Sequence, residues 1–168
     1  MNTSMQNVEL LAPVGSYESL QAALLAGADA IYFGIEQLNM RARAAQHFTV
    51  KDLKKIVTIC TQKKVKTYLT LNTILYDHDL KLMRTLCDKA KKAGITAVIV
   101  SDQAAMMYAK SINLPVHIST QCNVTNIETV KFFAAYADAI VLARELTLQQ
   151  IKYIVNEIYI VNEICQTF

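Results

Sequence analysis

Three stretches of the chain follow one pattern, in which a helix end, a tight joint and a short apolar strand run together. They are Ala26-Gly27-Ala28-Asp29-Ala30-Ile31-Tyr32-Phe33-Gly34, Ala93-Gly94-Ile95-Thr96-Ala97-Val98-Ile99-Val100-Ser101 and Ala135-Tyr136-Ala137-Asp138-Ala139-Ile140-Val141-Leu142-Ala143. Gly27 and Gly94 suit the left-handed position that closes a helix, where the missing Cβ removes the steric cost. Lys91 and Lys92 suit the negative end of a helix dipole. A chain that repeats helix, joint and strand is confined to parallel sheets with right-handed crossovers, because each new strand is reached only through a helix packed on the sheet.

The rest of the chain fits that unit. Leu20, Ala23, Leu24 and Gly27 fall on one helical face, as do Leu80, Met83, Cys87 and Ala90. Helix starts are expected at Ser16, Thr49 and Asp77, and at the capping-box patterns Thr125-x-x-Glu128 and Thr147-x-x-Gln150. The expected strands are Val8 to Ala12, Ala30 to Gly34, Lys66 to Asn72, Ala97 to Ser101, Val116 to Ser119 and Ala139 to Ala143, which makes about six βα units.

Two architectures satisfy this pattern: a (βα) barrel short of its full count, and a doubly wound open sheet. Alternation along the strands separates them. Tyr68, Thr70 and Asn72 share one face of the third strand, and His117, Ser119 and Gln121 share one face of the fifth. An open sheet covered by helices on both sides is apolar on both faces, so a polar face favours a barrel lumen. A full barrel needs on the order of 250 residues and this chain has 168. The fold expected is therefore α/β, an incomplete TIM-like barrel. With 53% hydrophobic and 18% charged residues, the chain has the composition of one globular domain and not of a disordered segment.

Tyr153-Ile154-Val155-Asn156-Glu157-Ile158 is repeated unchanged as Tyr159-Ile160-Val161-Asn162-Glu163-Ile164. A six-residue duplication is out of step with a 3.6-residue helical period, so the apolar stripe is expected to rotate between the copies. The expected division is a partial barrel over 1–158 and an aberrant duplicated or truncated tail over 159–168; a real, extended terminal helix is the plainer alternative. Met1 to Asn7 carry no Lys or Arg, so no signal or transit peptide is expected, and no apolar run reaches the roughly 18 residues of a membrane span. Cys60, Cys87, Cys122 and Cys165 lie far apart with no CxxC pair, which reads as free thiols in a reducing cytoplasm. A net charge of +3 neither demands nor opposes nucleic acid.

In parallel βα folds, functional groups gather at the carboxyl ends of the strands. The residues placed there are Arg41, Asn72, Asp102, Gln121, Asn123, Arg144 and Glu145. Arg41 lies in Asn39-Met40-Arg41-Ala42-Arg43, whose two guanidinium groups suit a carboxylate or phosphate. Asn72 and Gln121 are inward amides that must find hydrogen-bond partners, which favours ligand contact. Asp102 equally suits an N-cap, and Arg144 with Glu145 equally suits an exposed ion pair. His117 reads as a structural strand histidine. Lys54-Lys55, Lys63-Lys64 and Lys91-Lys92 read as solvated helix faces, with RNA steering as the minor alternative. There is no GxSxG, HExxH, P-loop or GxGxxG motif; Pro13-Val14-Gly15-Ser16 has a single glycine; and His47, His78 and His117 lack metal-ligand spacing. No metal site and no catalytic residue is assigned.

Six motifs taken in order resemble one family. They are Glu9-Leu10-Leu11-Ala12-Pro13-Val14-Gly15-Ser16, Gly27-Ala28-Asp29-Ala30-Ile31-Tyr32-Phe33-Gly34, Tyr68-Leu69-Thr70-Leu71-Asn72-Thr73, Ile99-Val100-Ser101-Asp102, His117-Ile118-Ser119-Thr120-Gln121-Cys122-Asn123-Val124-Thr125-Asn126 and Val141-Leu142-Ala143-Arg144-Glu145-Leu146. Together they resemble the bacterial peptidase family U32, also called collagenase-like proteases. The resemblance implies an N-terminal TIM-like barrel followed by a further region. It also implies relatives that hydroxylate RNA bases (tRNA uridine or rRNA cytidine) or act in ubiquinone hydroxylation, holding an iron–sulfur cluster on cysteines beyond the Arg-Glu-Leu motif. This chain has only Cys165 after Leu146, so no cluster ligand carries over and no cofactor is expected within it. Three readings stay open: the front of a cluster-dependent RNA hydroxylase with RNA as partner, a peptidase acting on protein, and a non-catalytic binding domain. An unpaired sheet edge predicts self-association of the isolated chain.

Overall fold

The computed structural model describes residues 8–35, 38 and 48–165, with the side chains of the last helix described through Ile158. Six strands, β1 (Leu11–Pro13), β2 (Ala30–Phe33), β3 (Lys66–Leu71), β4 (Ala97–Val100), β5 (Val116–Ile118) and β6 (Ala139–Ile140), alternate with six helices. The helices are α1 (Tyr17–Leu25), α2 (Leu53–Gln62), α3 (Leu80–Ala93), α4 (Gln103–Ser111), α5 (Ile127–Ala134) and α6 (Leu148–Cys165). Every neighbouring pair of strands is parallel, and spatial order equals sequence order. That order decides between the two architectures. A doubly wound sheet reverses direction at a switch point, whereas this sheet advances one strand at a time and curls into a half-barrel.

The outer face of the sheet carries the main core. Ile31, Phe33, Leu69, Leu71, Val98, Val100 and Ile118 are buried against Leu20 of α1, Leu53, Ile56 and Cys60 of α2, and Met83, Leu86 and Cys87 of α3. The inner face carries a separate, smaller cluster of Ala30, Tyr68, Ala97 and Ile99, with Tyr32 against it. Two cores on opposite faces of one sheet follow directly from the period-2 alternation of β2, β3 and β4.

The helices begin and end for local reasons. Ser16 caps α1 by accepting from the Ser19 N–H, and Thr147 and Gln150 form a reciprocal box at the start of α6. Gly94 closes α3 at φ +87, a left-handed conformation that disfavours any residue with a Cβ. Three expected starts move. Thr49 precedes a 3-10 turn over Val50–Asp52, and α2 begins only at Leu53. The cap of α5 is Asn126, whose side chain accepts from the Thr129 N–H, and not Thr125. Asp77 lies inside a short 3-10 turn, so α3 begins at Leu80 after Asp79 has accepted from the Tyr76 N–H.

The two edge strands are shorter or shifted. β1 starts at Leu11 because the Leu10 N–H is drawn off to the Asp29 carboxylate, while the Leu10 carbonyl accepts from the N–H groups of Asp29 and Ala30. β6 ends at Ile140 because the chain leaves the ladder, with the Ala143 N–H donating to the Val124 carbonyl. α6 runs unbroken through both copies of the duplicated hexapeptide, and Ile154 of the first copy is buried.

Candidate functional site

At the carboxyl ends of the strands the curled sheet encloses a cavity of about 430 Å³. Its floor is Tyr32, Thr70 and Ile99; Leu11 and Val141 form the sides contributed by the two edges of the sheet; Asn72, Ser119, Gln121 and Arg144 surround the mouth. Register places Thr70, Ile99 and His117 in one inward-facing row, and Tyr32 beside Tyr68 in the row before it.

The polar groups are organised around Ser119, which is buried. Its hydroxyl accepts from the Asn72 Nδ2 at 3.3 Å and from the Gln121 N–H at 3.3 Å, the latter opening a 3-10 turn over Thr120–Cys122. The Thr70 hydroxyl donates to the Phe33 carbonyl at 3.1 Å. The inward amide of Asn72 thus has a protein partner, whereas the Gln121 side chain is exposed at the mouth. Arg144 is the one charged residue among the described residues lining the cavity. The cavity therefore offers an apolar floor with an aromatic ring, neutral hydrogen-bonding groups and one cation. That set suits a flat polar ring carrying or adjoining an anion.

Of the residues expected at the strand ends, Asn72, Gln121 and Arg144 come together here. Asp102 caps α4 by accepting from the Ala104 N–H at 2.8 Å. Asn123 ends the 3-10 turn in a left-handed conformation at φ 49, which asparagine tolerates better than most residues. Glu145 is exposed and does not line the cavity. Arg41 lies outside the described residues. Of the lining residues, Tyr32 and Ile99 carry no charged or amide group that marks them in the sequence, and their inward parity in β2 and β4 is the signal that finds them.

The inward face of the sheet also carries a polar column. Glu9 accepts from the Tyr68 hydroxyl at 2.6 Å and from the Lys66 Nζ, and the Tyr68 ring lies against that of His117 with centroids 4.6 Å apart. Burial pushes the Tyr68 phenol up, and the Glu9 carboxylate that accepts its proton pushes it further. Burial raises the Glu9 carboxyl, but the hydrogen bonds from Lys66 and Tyr68 outweigh it and hold the group below its ordinary range. Burial lowers His117 below its ordinary value, against the opposing pull of Asp138 and Glu9.

The three cysteines with described side chains lie apart. Cys60 and Cys87 are buried among the helices behind the sheet, where burial pushes their thiols to about 11 and about 12. Cys122 is half-buried, with its thiol on the Ser101 carbonyl. Among the described residues no group of three metal-ligating side chains converges, so Cys60, Cys87 and Cys122 do not fit an iron–sulfur centre. No helix among the described residues is long and apolar enough to cross a membrane.

Comparison with known proteins agrees with the fold and with the motifs. The model of peptidase family U32 matches residues 15–166. A collagenase of Porphyromonas gingivalis is 54% identical over 162 residues, covering 96% of this chain and 39% of that protein. A tRNA hydroxylation protein P of Helicobacter pylori is 35% identical over 147 residues, covering 86% of this chain and 35% of that protein. The solved structure of the U32 peptidase Mk0906 superposes with a TM-score of 0.68 at 15% identity, over 84% of this chain and 61% of that one. The chain thus spans less than two-fifths of the length of these curated relatives.

Proposed function

The chain belongs to peptidase family U32, and on that footing we propose that it forms the front of the barrel of a cytoplasmic protein that hydroxylates RNA bases. The observation that carries this reading is the chemistry of the cavity lining: an aromatic and aliphatic floor, neutral amide and hydroxyl groups, and a single arginine. Those groups suit a nucleobase with its phosphate. Tyr32 and Ile99 offer a surface to the ring face, Asn72 and Gln121 pair with the polar edge, and Arg144 takes the charge. These residues bind and orient. The iron–sulfur cluster expected of such proteins would be held by cysteines other than Cys60, Cys87 and Cys122, and no step is assigned through it.

A peptidase is the second reading, supported by the 54% identity to a protein named collagenase. Against it, hydrolysis by a nucleophile needs a base within hydrogen-bond reach. Ser119, the buried hydroxyl of the cavity, is bonded to Asn72 and to the Gln121 N–H, and no carboxylate or histidine is among the described lining residues.

The test is deletion of the parent gene, followed by mass spectrometry of nucleosides from total tRNA and rRNA. A hydroxylated nucleoside should disappear, return with the wild-type gene and fall by about tenfold or more with Arg144→Ala, the loss expected for one charged contact. An unchanged nucleoside profile, with gelatin cleaved by the purified full-length protein, overturns the proposal in favour of the peptidase.

A further inference from the structure

Two of the hydroxyls lining the cavity are buried, Thr70 at 8% and Ser119 at 2% exposed. A hydroxyl has one proton to give and two lone pairs with which to receive, and the fold spends them in opposite ways at these two positions. Thr70 gives its proton to the Phe33 carbonyl at 3.1 Å, where β2 ends, so its oxygen has only lone pairs left for the cavity. Ser119 is the reverse. Its oxygen receives from Asn72 Nδ2 and from the Gln121 N–H, each at 3.3 Å, which fills both lone pairs and leaves the proton. Among the described residues nothing accepts that proton.

Both groups are held by the sheet. Ser119 donates its backbone N–H to the Val100 carbonyl at 2.8 Å and its carbonyl accepts from the Cys122 N–H at 3.0 Å, while Thr70 lies within β3, paired with Ile99. The two stand on either side of β4: Thr70 in the inward row with Ile99 and His117, and Ser119 two residues beyond His117 on the same face. Ile99, which also lines the cavity, comes between them. A flat ring laid on Ile99 therefore has a fixed donor to one side and a fixed acceptor to the other.

We propose that Ser119 and Thr70 set the polarity of the base held in the cavity, Ser119 donating to a ring acceptor and Thr70 accepting from an N–H beside it. The inference rests on the RNA reading above and adds how the base is told from other ligands. Uracil offers such an edge in a carbonyl beside N3–H, and cytosine in N3 beside its amino group. A ring with acceptors alone, such as a quinone, brings no proton to Thr70, and neither does a phosphate diester. Either one leaves the buried Thr70 oxygen unpaired, and a site built for hydrogen bonds rejects an analogue that lacks them.

The test is binding of short oligouridylate and oligocytidylate to the purified full-length protein, each beside its counterpart methylated at the N–H in question (N3-methyluridine, N4,N4-dimethylcytidine). Methylation should weaken wild-type binding of the preferred base about 10- to 100-fold. Thr70→Val and Ser119→Ala should each weaken binding of the unmodified base by a similar factor, and Thr70→Ser and Ser119→Thr should recover most of it. On the methylated base Thr70→Val should weaken binding no further, because the two changes remove the same bond. An equal loss from Thr70→Val on both forms of the base marks a purely structural role and overturns the proposal. So does wild-type binding that methylation leaves unchanged, a result that requires no variant to fold. In both cases the RNA reading stands. Failure of the wild-type protein to bind either oligonucleotide overturns both.

Discussion

Replacing Tyr68 with phenylalanine isolates one bond of the lumen column. The Tyr68 ring is 4% exposed and packs with Ala30, Ala97 and Ile99, so the substitution keeps the ring and removes only the hydroxyl. That hydroxyl donates to Glu9 at 2.6 Å, a bond to a charged acceptor of the class worth about 1.5–3 kcal/mol. Glu9 keeps Lys66 as a partner and some solvent contact, so the loss belongs at the low end, about 1.5 kcal/mol. In a chain of this size that lowers the melting temperature by about 3–6 °C. Urea unfolding of the two proteins at pH 7 measures it directly. The pH dependence gives a second reading. Glu9 is held below its ordinary value of 4.5, so its contribution is present above that pH and is lost as the pH falls through its depressed value. The gap between wild type and Tyr68→Phe should therefore narrow in acid. Equal stability of the two proteins at pH 7, or a gap that widens in acid, would refute the reasoning.

The remaining predictions concern the terminal helix and the lumen histidine. Ile154→Ala should destabilise the protein by about 2–4 kcal/mol in urea unfolding, because Ile154 is 2% exposed and anchors α6 to the barrel; a loss below about 0.5 kcal/mol, within the range of a surface substitution, would mean that α6 does not dock. His117 should titrate below 6.5 by NMR, since burial holds its imidazole neutral in the fold. The unfolded chain then binds the extra proton, so stability should decline as pH falls below 6.5, and His117→Gln should flatten that decline; an NMR value at or above 6.5 counts against it.

The fold was legible because its signals are local. Ala30–Phe33 and Ala97–Val100 each follow a helix end within a few residues, and their apolar runs admit little but buried parallel strands. The edges were harder to read. Val8 is an apolar residue but is 91% exposed, and only the bonds of Leu10 to Asp29 show why β1 begins later. Local pattern also could not choose between Thr125 and Asn126, since both precede α5 with a partner three residues on. In the site, Asn72 and Gln121 were visible as polar residues after apolar strands. Tyr32 and Ile99 were hidden because an aromatic or aliphatic residue in a strand looks the same whether it faces helices or lumen. The lumen column was hidden for a different reason: Glu9, Tyr68 and His117 come from three strand regions, and only the curl of the sheet brings them together.

The strand order has a consequence for how such a chain is made. Among the described residues no strand pairs with one more distant in the sequence than its immediate neighbour, so each finds its partner already synthesised when it leaves the ribosome. The sheet can grow by accretion, every βα unit laying its helix over the strand just placed, and contacts close in sequence form without large loops having to close first. Growth of this kind is vectorial: the advancing edge moves with translation, while β1 waits at the opposite side as the fixed origin of the curl.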